Sequence, residues 1–595
     1  MKVRAGWFVS QRSNMRKIIN YHNIILVLNI VLGLLMVYFL ADINIWEIEN
    51  VESLSFFTIL SVLIAIAGWQ SWKKYGYQPI ILIFSFLVVL CLVTGVIIRC
   101  NGNAGVTGYW KQLLGVAVTG APAASLPIQY LCRIQILKED GKSRRHSDKF
   151  CFWFNFFVLM IAWIPVFLAY YPGLFAYDVG SQIKQYLESN YTMQHTLLHT
   201  FIVGFFYSIG EAWGKYNWGI ALYSLFQMGI SALVMSYALL FLQKSDVNKM
   251  IRMIILVFWA VCPINSILVI STTKDVLFSM AVLLFSVMIL KFLSEEEIKV
   301  SFCLVITSVG VFVYLLRNNA AYVLLVWGVV FVSCMFFSKQ SRKKCISSIV
   351  IICGILLLGK GINSGMQNAS NAESTSIKEM LSVPGMQMAR CLSLEGEDLD
   401  EKLYVSYEKL GITNGTYRIS LADGLKGKIK IEGQEKLFLE TWIATICEYP
   451  ETCIDAFLYL NQGNIFLDDI SNAQVYDYRQ KERQGYLLTD TKSGFGVEHN
   501  TKFSFLEDIY EKLFTENKYQ KLPVLATLFV PAFYFWLLMY TMVHALVNKN
   551  YKIIYVGSFL LIYYLTVLLG PCSLIRYMYP LVISVPVLLG LELQS

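Results

Sequence analysis

Tyr170-Tyr-Pro-Gly-Leu-Phe-Ala-Tyr-Asp-Val-Gly-Ser-Gln182 closes an apolar run that begins at Phe150. A run of bilayer length normally finishes in a few interfacial aromatics and turns back. This one continues instead through Gln182, Lys184, Gln185 and Glu188 to His195 and His199, a polar and aromatic stretch lying beside the membrane. It sets a carboxylate, Asp178, at the membrane surface, and an ionisable group held there is a functional candidate by default.

Working outward, the rest of the chain repeats the apolar half of this pattern. Of 595 residues, 56% are hydrophobic and only 15% charged, with a mean hydropathy of +0.54. Crossing a bilayer takes roughly 20 apolar residues, and some fourteen stretches approach that length. The expected fold class is a polytopic α-helical membrane protein with about fourteen transmembrane helices, juxtamembrane helices and one extracytoplasmic domain. The first apolar stretch follows a basic leader without a small-residue cleavage site, so it reads as an anchor. The 13 cysteines are scattered through apolar runs without CxxC spacing and read as small hydrophobes. Spacing alone leaves the disulfide state of Cys391, Cys447 and Cys453 open.

Lys and Arg favour cytoplasmic loops, so each basic loop votes on orientation. Lys2, Arg4, Arg12, Arg16 and Lys17 place the leader inside, and Lys73-Lys74, then Arg144 and Arg145, do the same for later loops. Lys244, Lys249 and Arg252, the cluster Lys339 to Lys344, and Lys549 with Lys552 complete a consistent set. Both termini are then cytoplasmic. The expected division is four leading spans in 1–149, a membrane region in 150–359 with an outer loop at 171–217, an extracytoplasmic domain in 360–522, and three closing spans in 523–595. Leu197 to Trp213 has no room to cross and reads as juxtamembrane or re-entrant. The span Ile254 to Ile270 is expected to be continuous, as is Pro523 to Val547. In the outer domain, Ala422 to Gly433 carries turn and strand signals, and Leu437 to Tyr459 helical spacing.

With this topology Asp178, Lys274-Asp275, Arg317-Asn318 and Arg576 all fall at outer span ends. Any one of them alone could merely snorkel; as a set they read as a site. Asp178, Gln182 and Gln185 share one helix face by spacing, able to present a carboxylate and two amides to a sugar or hydroxyl acceptor. The competing reading makes Asp178 a helix N-cap. His195 and His199, at i and i+4, are either half of a metal site or interfacial histidines held by backbone or phosphate. Lys274 and Arg576 suit a phosphate, arginine especially so. No P-loop, GxSxG or HExxH is present, and no nucleic-acid partner is expected.

The layout resembles the GT-C superfamily of membrane glycosyltransferases, which includes protein O-mannosyltransferases, the aminoarabinose transferase and oligosaccharyltransferase subunits. It is most similar to an incompletely characterised bacterial branch carrying Pro-Gly...Asp-x-x-x-Gln, His-Pro, Lys-Asp and Arg-Asn segments. Here these correspond to Pro172-Gly173, Asp178 with Gln182, His195, Lys274-Asp275 and Arg317-Asn318. Gln387 with Arg390, and Asp423 with Lys426, are the matching pairs in the outer domain. Thr196 and Gly424 stand where the branch usually has Pro. The resemblance implies a GT-C-like fold and a sugar donor on a polyprenyl phosphate, with an extracytoplasmic acceptor. Asp178 is then the catalytic base; Gln182, His195, Lys274, Asp275, Arg317, Asn318, Gln387, Arg390, Asp423, Lys426 and Arg576 bind substrate. A phosphate leaves as a stable anion, so a base and cations suffice and an inverting reaction follows. No cofactor is demanded, and assistance by a divalent metal is left open. A transporter or flippase of a lipid-linked or anionic substrate is the alternative, though no inverted repeat is evident and an outer domain of this size is large for a carrier.

Overall fold

The computed structural model of the protein describes residues 24–40, 42–43, 54–101, 105–133, 147–175, 178–337, 341–374, 377–467, 495–514 and 523–594. Among the described residues the chain is helical, without strands. Two isolated β-bridges join Leu174 to Ser271 and Thr192 to Glu373. Seven helices are long and apolar enough to cross a bilayer: Pro79–Ile98, Asp148–Ala169, Tyr216–Lys244, Lys274–Ser294, Ala320–Phe337, Arg342–Ser370 and Ile575–Glu592. Five shorter apolar helices accompany them: Ile24–Leu40, Leu197–Ala212, Val300–Leu316, Pro531–Val547 and Tyr551–Val567. The protein is a multi-pass α-helical membrane protein; helix length and composition alone support seven or eight crossings among the described residues.

The chain forms two compact units. One is built from Met1–Ile134 with Pro450–Asp455 and Ile465–Asp469, the other from Gln135–Tyr449, Ala456–Asn464 and Ile470–Ser595. In the first, the helices Leu54–Tyr75 and Pro79–Asn101 both pack on Trp110–Leu131. A hydrogen bond between Ser71 and Ser125 at 2.7 Å ties two of them at a polar spot. In the second, the Lys274–Ser294 helix is the axis, packed against Tyr216–Lys244, Val300–Leu316, Tyr551–Val567 and Ile575–Glu592 and buried along almost its whole length. Inside a bilayer such packing is held by close van der Waals contact, since lipid is as apolar as the side chains it replaces.

Proline breaks two expected spans. The stretch Ile254 to Ile270 is a pair of helices, Lys249–Val261 and Pro263–Val269, bent by 58°. Pro263 has no N–H to donate and occupies the first position of the second helix, where its fixed φ is an asset. At the break the Phe258 carbonyl accepts a hydrogen bond from Asn265 Nδ2 at 3.0 Å. Pro523 to Val547 likewise divides into Pro523–Leu528 and Pro531–Val547, with Pro531 opening the second piece. The helix Arg342–Ser370 stops where Asn371 turns left-handed, φ 51.

The strand signals of Ala422 to Gly433 do not produce a strand. Leu425 and Ile429 are buried four residues apart, with Leu425 packed beside Gly385, and that spacing belongs to a helical turn. Asp423–Lys426 is accordingly a one-turn helix. Helices Glu435–Glu448 and Pro450–Leu460 follow, as expected of Leu437 to Tyr459.

Candidate functional site

Backbone geometry explains how Asp178 reaches Lys274. After the Asp148–Ala169 helix the chain turns at Gly173, whose φ is +116. A Cβ there would sit 2.1 Å from Ser224 Oγ and 3.0 Å from the Ile270 carbonyl, so only glycine fits this close approach. Leu174 then pairs with the 270–272 segment: its N–H donates to Ile270 O at 3.0 Å, and its carbonyl accepts from Thr272 N at 2.9 Å. Thr272 and Thr273 lead directly into the Lys274–Ser294 helix. The Pro-Gly segment is thereby bonded to the residues just before Lys274, with Asp178 only a few residues downstream.

A second loop brings His195. Its segment, Tyr191 to Thr196, is held from three sides. Glu373 makes two backbone bonds to it, Met193 N to Glu373 O at 2.8 Å and Glu373 N to Tyr191 O at 3.0 Å. Gln185 Oε1 accepts from Thr192 N at 3.1 Å. Asn318 Nδ2 donates to Met193 O at 2.9 Å. The sequence Arg317-Asn318-Asn319, at the end of the Val300–Leu316 helix, thus serves three directions. Arg317 reaches Asp275, Asn318 holds the His195 loop, and Asn319 Nδ2 donates to Thr566 Oγ1 at 2.7 Å.

The result is two adjoining charged groups. In the more open one, Asp178 Oδ2 lies 3.7 Å from Lys274 Nζ and 3.8 Å from His195 Nδ1, while Lys274 Nζ and His195 Nδ1 are 3.4 Å apart. The Asp178 side chain is 39% exposed and that of Lys274 19%. In the closed one, Asp275 is 1% exposed and receives Arg317 Nη1 at 2.6 Å. Arg576 Nη1 approaches its other oxygen at 3.7 Å. Arg317 sits among Phe278, Tyr563 and Tyr577, whose ring centres are 5.6, 5.5 and 5.1 Å from its guanidinium carbon, and Arg576 donates to Tyr577 OH at 3.2 Å. Because Lys274 and Asp275 are neighbours on one helical turn, the two groups are mechanically joined. Thr273 caps that turn and donates to Asp275 Oδ2 at 3.1 Å.

Electrostatics separates the roles. Burial would raise the Asp178 carboxyl, but Lys274, Arg576, His195 and His199 outweigh it and hold its pKa at about 2. Burial, reinforced by the Lys274 ammonium, pushes His195 down to about 4. At neutral pH the imidazole is therefore uncharged, and with Nδ1 accepting from Lys274 its proton belongs on Nε2. The site then offers a carboxylate, an ammonium and a neutral N–H donor side by side.

Other expected residues are placed differently. Asp178 precedes the Val179–Glu188 helix as its cap residue but makes no side-chain capping bond, which leaves the carboxylate for other work. Gln182 and Gln185 are buried, not presented with Asp178. Gln182 bonds Thr200 Oγ1 at 3.2 Å and His199 Nδ1 at 3.0 Å, and Gln185 holds the His195 loop. His199 spends its second nitrogen on Tyr223 OH at 2.8 Å, so His195 and His199 do not form one ligand pair. Among the described residues no group of three His, Cys, Asp or Glu has metal-binding geometry. Gln387 accepts from Trp442 Nε1 at 2.7 Å. Arg390 is fully buried against Tyr459 and bonds Tyr417 OH at 3.1 Å. Lys426 is bound between Glu379 at 2.9 Å and Asp423 at 3.0 Å.

Sequence reading missed Tyr223 and Gln227. Tyr223 OH donates to Gln227 Oε1 at 2.8 Å, and Gln227 Nε2 in turn donates to the Val269 and Ser271 carbonyls at 2.9 and 2.8 Å. This buried chain runs from Gln182 through His199 to the segment ahead of Lys274. An amide inside an apolar span was the available signal, since such a group must find polar partners.

The site and its supports define an α-helical membrane protein with a charged cluster at one end of its bundle. The chain belongs to a family of unknown function (DUF6020), whose model matches residues 187–593. The matched span contains His195, Lys274, Asp275, Arg317 and Arg576 and begins just past Asp178. No curated protein and no solved structure matches the chain.

Proposed function

We propose that the protein is a membrane glycosyltransferase of the GT-C kind, moving a sugar from a polyprenyl-phosphate donor to an extracytoplasmic acceptor on a cell-surface glycan, lipid or protein. The single observation carrying this reading is the meeting of Asp178, Lys274 and His195 at 3.4 to 3.8 Å above the Asp275–Arg317–Arg576 group. These side chains come from segments far apart in sequence. In this reading Ile24–Leu40, Leu54–Tyr75, Trp110–Leu131, the bent Lys249–Val261 and Pro263–Val269 pair, Val300–Leu316, Pro531–Val547 and Tyr551–Val567 also cross while Leu197–Ala212 stays juxtamembrane, giving about fourteen spans, with both termini cytoplasmic and the Asp178 end facing out.

Asp178 takes the proton of the acceptor hydroxyl as the new glycosidic bond forms at the anomeric carbon and the bond to phosphate breaks. Lys274 and Arg576 receive the phosphate anion, and His195 Nε2–H is a neutral donor to the sugar or phosphate. A carboxylate with a pKa near 2 is a weak base on its own. The cations that depress it are the ones a phosphate would engage. Donor binding therefore withdraws their stabilisation from Asp178 and strengthens the base when it is needed. Asp275 is buried and committed to two arginines, so it supports the site and does not compete for the proton.

The test is Asp178→Asn in purified protein supplied with a radiolabelled polyprenyl-phosphate hexose. Loss of sugar release by roughly 10² or more with unchanged folding supports the base role; wild-type release by the variant refutes it.

A further inference from the structure

Glu379 has no part in the chemistry above, yet the fold delivers it to the same place. It lies on the one-turn helix Ile377–Met380, shortly after Glu373, whose two backbone bonds fasten this stretch to the loop carrying His195. Its Oε2 is gripped by Lys426 Nζ at 2.9 Å, and the Lys426 side chain is only 10% exposed. Its Oε1 faces Gln194 Nε2, the neighbour of His195, at 3.4 Å. That contact is long enough to leave Oε1 able to accept a stronger bond. Glu379 is 41% exposed, and the charge of Glu379 is felt at the His195 ring. A carboxylate oriented by a nearly buried lysine, with one oxygen open beside a candidate reaction centre, is preorganised to receive a hydroxyl. The flanking Ile377 and Met380 side chains are 45% and 73% exposed, an apolar border of the type that packs on the C–H face of a sugar ring.

We propose that Glu379, held by Lys426, is a binding residue for a carbohydrate acceptor, recognising acceptor hydroxyls over the His195–Asp178 site. The assignment rests on the glycosyl-transfer reading of that site. It gives Lys426 and Asp423 the role of orienting Glu379, with Asp423 at 3.0 Å from the same ammonium.

The experiment uses the full chain in lipid nanodiscs with two readouts. One is binding to an array of neutral mono- to tetrasaccharides; the other is hydrolysis of a polyprenyl-phosphate hexose, in which water replaces the acceptor. Glu379→Gln keeps shape and should weaken the wild-type carbohydrate signal about tenfold or more, the effect of losing a charged hydrogen-bond acceptor. Hydrolysis should fall far less than binding, and Glu379→Asp should bind better than Glu379→Gln. Absence of carbohydrate binding by the wild type, or equal binding by Glu379→Gln, overturns the assignment. A fall in hydrolysis parallel to the fall in binding also overturns it, since Glu379 would then only brace the His195 loop. If the wild type binds carbohydrate through Glu379 but releases no sugar from the donor, the acceptor site stands and the proposed donor reaction fails.

Discussion

Replacing Asp275 by Asn should unfold this protein more readily than any other single change at the cluster. The carboxylate is 1% exposed, with Arg317 Nη1 at 2.6 Å and Arg576 Nη1 at 3.7 Å. Taking charge centres about 4 Å apart in an effective dielectric of about 20, one such pair interacts by about 4 kcal/mol. Removing one partner of a buried pair costs about 3–5 kcal/mol, because the remaining charge is stranded away from water. Here two guanidiniums are stranded, though Tyr563 and Tyr577 still offer them ring faces. A loss of that size is a large share of a typical folding free energy of about 5–15 kcal/mol. For a chain of 595 residues the apparent melting temperature in detergent, followed by tryptophan emission, should fall by about 2–4 °C. Pairing Asp275→Asn with Arg317→Met removes a stranded charge and should recover part of the loss. Melting of Asp275→Asn within about 1 °C of wild type would falsify the idea that this carboxylate is the anchor of the site.

Asp178→Asn should show a different profile: a smaller fall in melting than Asp275→Asn, because the side chain is 39% exposed and caps no backbone N–H, with sugar release down by roughly 10² or more. Tyr223→Phe deletes the hydroxyl between His199 and Gln227 and should cost about 1–3 kcal/mol in thermal unfolding; no change would mean the buried chain is not under load. On acidification, His195 and Asp178 are both harder to protonate folded than unfolded. Stability should therefore fall as pH drops, first from the ordinary 6.5 of His195 toward about 4 and then from the ordinary 3.8 of Asp178 toward about 2. A His195→Asn variant should shrink the first phase without abolishing it, because burial depresses His199 as well; pH-dependent melting would register this, and neither His195 nor Asp178 predicts a change between pH 7 and 9. Single cysteines at Ser181 and Asn414, both exposed, should react with an impermeant maleimide on intact cells, whereas those at Ser147 and Ser341 should not. The reverse pattern would place the cluster in the cytoplasm and end the proposed reaction.

The amino-acid sequence was sufficient for the fold class, because bilayer-length apolar runs have few alternatives to helices: in hydrocarbon every backbone N–H and C=O must be satisfied within the segment. It also exposed Asp178, His195, Lys274, Asp275, Arg317 and Arg576, since charges at the ends of apolar runs stand out against their surroundings. The breaks at Pro263 and Pro531 escaped the hydropathy reading, although the missing N–H was a signal present in the sequence. The division of labour was not legible there. Asp178 and Asp275 are the same residue type, and Gln182 and Gln185 share a spacing with Asp178 that suggested a common face. The tertiary structure buries both amides, closes Asp275 between two arginines and leaves Asp178 open beside Lys274. Tyr223, Gln227 and Glu379 acquire their roles from residues distant in sequence. The physical reason is that hydropathy and helical period are properties of neighbours along the chain. Whether a carboxylate is compensated or available depends on which helix ends the Leu174–Ser271 and Thr192–Glu373 bridges bring together.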